Sequence, residues 1–184
     1  ELKLKHSEKR LSTVFHASPS GICINNITDG LFVDVNEAFC IMTGYSKDEL
    51  LGNDPIVLNL WYNNEDSRFT EELIIKKGKI SNVEVRFRKK NGSTGHAMIS
   101  CEVIELDSLT CILTLVNDIS EIKNYSLALT ASQTKFKSFF DNVESIVWIK
   151  DLEGRFIDIN LYTENLLKLK RAEVIGKTVI ELFP

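Results

Sequence analysis

The stretch Asp29-Gly30-Leu31-Phe32-Val33-Asp34-Val35-Asn36-Glu37-Ala38-Phe39 carries a turn, a strand and the start of a helix in one short run. Asp-Gly supplies the positive φ of a tight hairpin turn, which predicts Gly21 to Asn26 and Leu31 to Val35 as its two strands. Asn36 is placed to cap a helix over Glu37 to Thr43, and Gly44 closes it. Ser46, with Glu49 three residues on, has the spacing of a capping box and predicts a further short helical turn.

This pattern occurs twice. At an offset of 124 residues, Phe15 falls on Phe139, Ile22 on Ile146, Gly30 on Gly154, Phe32 on Phe156, Asp34 on Asp158, Asn36 on Asn160, Glu49 on Glu173 and Gly52 on Gly176, without a gap. These are residue types that fix turns, caps and cores, so the chain holds a duplicated unit. The second copy stops at Pro184, level with Leu60 of the first, which predicts one complete domain, the opening half of another, and both chain ends as cuts through a longer polypeptide. Ile146 to Lys150 would then lack the late strand it needs, and is expected either poorly ordered or paired between molecules.

Working outward, Leu4, Leu11 and Val14 with Phe15 recur at helical spacing and predict a flanking helix over residues 1–18 that stops before Pro19. Residues 53–63, with Pro55 and several Asn, read as irregular, and Glu65 to Lys77 resumes helical periodicity through Phe69, Leu73 and Ile74 until Gly78. Three strands follow, Asn82 to Lys90, Gly95 to Leu106 and Leu109 to Asn117, the first two joined by the hairpin dipeptide Asn91-Gly92. Two strands, helices, then a meander predict an α+β domain over residues 19–118, with one five-stranded antiparallel sheet and its helices on one face.

A connecting helix is predicted over residues 119–143, and residues 144–184 begin the second copy. In that helix Ile122, Leu129, Phe136 and Val143 recur every seventh residue, with Tyr125 and Phe139 between them. The seam suits a parallel two-helix coiled coil, interrupted at Ser132; packing of the same face on its own domain is the alternative.

Composition narrows the function. The chain has 184 residues, 43% of them hydrophobic, enough for one domain and a half. A net charge of -4 lacks the basic excess that nucleic acid or an anionic membrane would select. No apolar run approaches the roughly 18 residues of a membrane span, and Glu1 to Arg10 alternates Leu with charged residues, so a cytoplasmic location is expected. Cys23, Cys40, Cys101 and Cys111 form no C-x-x-C pair and are expected as reduced, buried thiols, with no metal site.

At this point the residues resemble the PAS family. Phe15-His16-Ala17-Ser18-Pro19-Ser20-Gly21-Ile22 is similar to the run into its first strand, and Asp29 to Phe39 to its second strand and following helix. Thr43-Gly44-Tyr45-Ser46-Lys47-Asp48-Glu49-Leu50-Leu51-Gly52 resembles the next helical segment, and Asn117-Asp118-Ile119-Ser120-Glu121 the exit motif where the sheet gives way to a signalling helix. Leu60-Trp61, Glu65 to Arg68 and Phe87 to Ser93 resemble members found in tandem in bacterial sensor histidine kinases and diguanylate cyclases. The resemblance covers residues 11–122 and again 135–184.

It implies a domain that holds a small ligand or cofactor between sheet and helices, or holds none and relays by dimerising. Light-sensing members carry a reactive Cys where this chain has Asn53 to Asn64, which contains none, and haem-binding members supply a His from the helix matching residues 65–77, which has none; flavin and haem are thereby disfavoured and no cofactor is expected. Strand alternation nominates a pocket lined by Ile22 and Ile24, by Val83, Val85 and Phe87, by Ile99, Cys101 and Val103, and by Leu113 and Leu115, closed by Phe39, Met42, Phe69 and Leu73. Trp61, Ser100 and Thr114 are the groups able to orient a ligand; a filled core without one is the alternative.

No catalytic set emerges. His96 and Cys101, five apart on one strand, point to opposite faces, and Gly176-Lys177-Thr178 lacks the opening Gly of a phosphate loop, Arg171 standing in its place. Any kinase or cyclase activity belongs to other parts of the polypeptide. The expected function is a sensory input and dimerisation module: a homodimer through Leu4, Leu11, Ile122, Tyr125, Leu129 and Phe136 that relays binding of a small molecule or partner to a downstream output domain. A ligand-free dimerisation scaffold and a flavin or haem redox sensor are the alternatives.

Overall fold

Asn36 is fully buried yet has every hydrogen-bonding group satisfied, and the first domain is assembled around it. Its Oδ1 accepts from the N–H of Ile22 (2.8 Å) and of Phe39 (3.0 Å), and its Nδ2 donates to the carbonyls of Ser20 (2.9 Å) and Phe15 (3.1 Å). One side chain thus caps a helix, fixes a strand and ties down the segment before it. The computed structural model describes residues 12–183. Leu4 and Leu11 lie outside the described residues, and the Phe69 side chain likewise.

Two compact units meet at Lys123 and Asn124. In the first, a helical segment over residues 12–17 (α1) leads to β1 (Gly21–Asn26) and β2 (Phe32–Val35), then α2 (Glu37–Thr43), α3 (Lys47–Leu50) and α4 (Asn64–Lys77). The meander β3 (Lys79–Arg88), β4 (Thr94–Leu106) and β5 (Leu109–Asp118) completes it. All pairings are antiparallel, in the order β2-β1-β5-β4-β3, with β1 and β5 adjacent at the centre. This is the predicted PAS-like α+β sheet.

Gly44 ends α2 in the left-handed region (φ 78°), and the Ser46–Glu49 capping box starts α3. The third strand begins earlier than predicted, at Lys79 and not Asn82, because Asn82 sits in a bulge at φ 54°. An Asn reads as a strand boundary in sequence, whereas here it tolerates the left-handed conformation inside one.

The second unit carries most of α5 (Ser120–Asn142), then β6 (Trp148–Lys150), β7 (Phe156–Ile159), α6 (Leu161–Leu167), α7 (Arg171–Val174) and α8 (Val179–Leu182). From β7 onward it repeats the first unit's wiring at an offset of 124, whereas β6 is displaced by one residue from the alignment of Ile22 with Ile146: Trp148 pairs with Ile159 where Cys23 pairs with Val35. Asn160 Oδ1 accepts from Thr163 N (3.1 Å), and its Nδ2 donates to Ser145 and Val143 carbonyls. Asp34–Lys47 (2.5 Å) recurs as Asp158–Arg171 (2.8 Å), and Gly52 N to Phe32 O (3.0 Å) as Gly176 N to Phe156 O (2.8 Å). The sheet here is a single hairpin, β6 with β7. Among the described residues no helix is long and apolar enough to cross a membrane.

Candidate functional site

Between the sheet and α2–α4 lies a cavity of about 410 Å³ in the first unit. Its sheet wall follows from register. Cys23 pairs with Thr114, Thr114 with Cys101, and Ile99 with both Val83 and Val116, so these side chains project from one face. Cys23, Ala97, Ile99, Cys101, Val116, Val85 and Phe87 are buried there. Phe39, Met42 and Thr43 of α2 and Ile74 of α4 close the other side. Trp61 reaches the cavity because Leu60–Tyr62 runs against β3, with Arg88 N donating to Leu60 O (2.7 Å) and Tyr62 N to Arg86 O (3.1 Å).

Of the nominated residues, Phe39, Met42, Trp61, Val85, Phe87, Ile99 and Cys101 line this cavity, as does Thr114. Eight nominations are corrected, four of them on β1 and β5. Ile22 and Ile24 pair with Leu115 and Leu113 and sit on the opposite face of the sheet, where Leu115 is exposed. The inner positions are Cys23 on β1 and Ile112, Thr114 and Val116 on β5. Apolar residues occupy both faces of the two central strands, and on β1 Gly21 leaves room for Phe39: a Cβ there would meet the Phe39 backbone and ring at 3.3 Å.

Leu73 packs against the core, but Ile74, buried, and Ile75, exposed, are the residues of this run that line the cavity. In the run Leu73-Ile74-Ile75 helical periodicity cannot choose among three apolar neighbours. Val83 and Val103 likewise support the core from outside the cavity, and Ser100 faces away, its Oγ accepting from Asn82 N (3.1 Å). Cys23 carried the weakest signal of the residues missed, a small side chain between two isoleucines.

The cavity is chemically quiet. Burial pushes the Cys23 thiol up strongly, the neighbouring Cys101 adds to this, and the hydrogen bond with Thr114 only partly opposes it. Burial also raises Cys101, whose sulfur accepts from Thr114 Oγ1 at 3.5 Å. Both stay protonated at neutral pH, so neither is a ready nucleophile or soft-metal ligand. Among the described residues no His lines the cavity and no group of three or more His, Cys, Asp or Glu could hold a metal. The lining does not fit haem, which would find no imidazole and no thiolate there, nor the phosphate of a flavin nucleotide, which would find no cation among the described lining residues. His96 lies on the other face, its Nδ1 3.3 Å from Glu84 Oε1, far from any role with Cys101.

The wall is wired to α5. Phe87 lines the cavity and its ring lies where a Gly95 side chain would begin, 2.5 Å from that Cβ position, with Ser120 Oγ at 2.8 Å on the same spot. Ser120 Oγ accepts from His96 N (2.8 Å) and Ile119 N donates to His96 O (2.8 Å). One turn on, Lys123 Nζ is 2.8 Å from Glu84 Oε2 and, chiefly through that hydrogen bond, holds the Glu84 carboxyl below its usual range. Along α5 the side chains of Ile122, Tyr125, Leu129, Phe136 and Phe139 are exposed, between 54% and 72%.

Comparison with known proteins agrees with this architecture. No curated protein sequence matches the chain. Among solved structures, the PAS domain of an HTR-like protein from Haloarcula marismortui is 24% identical with TM-score 0.50, over 64% of this chain and 95% of that one. A domain of a sensory box sensor histidine kinase/response regulator from Geobacter sulfurreducens is 24% identical with TM-score 0.51, over 62% and 96%. The Rhodobacter sphaeroides LOV protein is 18% identical with TM-score 0.54, over 70% and 76%. At these identities the likeness is one of fold. The family assignment comes from sequence profiles: residues 19–121 match a PAS domain and residues 134–184 match another. The chain therefore belongs to the PAS domain family, whose members are in general non-catalytic sensor modules of signalling proteins.

Proposed function

We propose that the first domain senses a small molecule in its cavity and that α5, paired with the same helix of a second copy, carries the response to an output domain of the same polypeptide. The observation that carries this is a shared wall: Phe87 faces the cavity while its strand neighbours Gly95 and His96 hold Ser120 at the start of α5. An occupant that shifts the Phe87 ring acts on the residue that seats the helix. The exposed stripe from Ile122 to Phe139 is the surface on which two such helices would pack. A ligand signals here only if it prefers one helix arrangement over the other, since equal affinity for both shifts nothing.

Disulfide crosslinking of Leu129→Cys and Phe136→Cys variants, with and without small-molecule extract, tests the relay. Crosslinking between copies whose position preference changes on adding extract is expected. Identical patterns under every condition would leave a dimerisation scaffold without sensing, and no crosslink at either position would remove the dimer as well.

A further inference from the structure

We infer that the cavity takes a cationic amphipath, an apolar small molecule whose positively charged head sits at the opening. This rests on the sensing function proposed above and adds the chemical class of what is sensed. The interior is neutral and mostly apolar: Phe39, Val85, Phe87 and Ile99 are buried, and the polar groups among them, the hydroxyls of Thr43, Thr70 and Thr114 and two protonated thiols, carry no charge. The lining residues that reach solvent mark the opening, and three of them are acids from three elements. Asp29 comes from the β1–β2 turn, Asp54 from the segment after α3, and Glu71 from α4.

Asp54 Oδ2 lies 3.0 Å from the Cβ position of Gly30, which presses this carboxylate against the Asp29-Gly30 turn. The three are held by local hydrogen bonds, Asp29 from Leu31 N (3.1 Å), Asp54 from Ile56 N (2.5 Å) and Glu71 from Ser67 Oγ (3.2 Å), which orient them without neutralising them. Among the described residues no Lys, Arg or His lines the cavity, and none of the three acids is in an ion pair. Like charges around the mouth of a low-dielectric pocket focus a field that concentrates cations and repels anions. An apolar interior behind that field selects a molecule with both features, and disfavours carboxylate or phosphate ligands of the same size.

The chain has two tryptophans, and Trp148→Phe in the second unit leaves Trp61, which lines the cavity, as the sole tryptophan to be excited at about 295 nm, beyond the absorption of tyrosine. Titrating this variant of the full chain with decylammonium, decanol and decanoate at low salt, below micelle formation, compares charge on one apolar chain. Decylammonium is expected to bind at least ~10-fold more tightly than decanoate, with decanol between them and the gap narrowing in ~0.5 M salt. Adding Asp29→Asn, Asp54→Asn and Glu71→Gln should bring the ratio below ~3-fold while decanol binds as before, which also reports that the cavity is intact. Decanol binding together with decanoate as tight as decylammonium overturns the charge assignment alone. No response to any of the three overturns the sensing cavity on which it rests.

Discussion

A single amide decides how the first domain closes. Asn36 satisfies four backbone groups on three segments, and among the described residues only the Ser20 carbonyl of these has another side-chain donor, Ser18 Oγ. Asn36→Asp keeps the two acceptor contacts but turns the donor end into a carboxylate oxygen facing the carbonyls of Phe15 and Ser20. A loss of about 3 kcal/mol is expected in urea denaturation, and a loss below about 1 kcal/mol would deny the residue its structural role. The four thiols make a second residue-scale expectation. Burial raises all of them, but Cys40 alone is partly accessible. Iodoacetamide at pH 8, followed by peptide mass spectrometry, should modify Cys40 first and Cys23, Cys101 and Cys111 only as the protein unfolds. Early modification of Cys101 would show the cavity wall opening on its own.

Among the elements, α3 shows how one cap links distant segments. Glu49 accepts from Ser46 N and Oγ and from Lys90 Nζ beyond β3, and the Lys90 bond first, then those from Ser46, hold its carboxyl at about 2. A lowered carboxyl stabilises the fold fully above its unfolded value near 4.5, and that contribution fades as pH falls toward about 2. Lys90→Met should raise the Glu49 titration midpoint seen by carboxyl NMR and move the loss to higher pH; an unchanged midpoint would assign the shift to the capping box alone. Ser46→Ala should cost about 1 kcal/mol. Caps, turns and the Asn-Gly hairpin were legible because each depends on a few adjacent residues. The inner faces of β3 and β4 were legible too, since Val85 and Phe87 alternate with Glu84 and Arg86, and Ile99 and Cys101 with Ser100 and Glu102. On β1 and β5 alternation fails as a guide. Ile22, Ile24, Leu113 and Leu115 outrank Cys23 and Thr114 in hydrophobicity yet face outward, and only the pairing of Cys23 with Thr114 and Thr114 with Cys101 reveals which face is which.

At the scale of the whole molecule, the proposed relay depends on helices that meet. Leu129→Glu with Phe136→Glu places charge on the exposed stripe of α5 while leaving its helix-forming tendency intact. Sedimentation equilibrium should show a dimer for the parent chain and a monomer for the double variant, with unchanged helical circular dichroism. A dimer that survives both charges would move the interface elsewhere. The duplication has a further use. Asn36 and Asn160 both cap a helix and donate to two carbonyls of the segment before the first strand, but one closes a five-stranded sheet and the other a lone hairpin, where Thr163 Oγ1 also donates to the Asn160 amide oxygen. Substituting both positions alike, with Thr163→Val to remove the hydroxyl that Phe39 lacks, forms an internal standard in which the ratio of their costs reads how much rigidity three additional strands lend to a single amide.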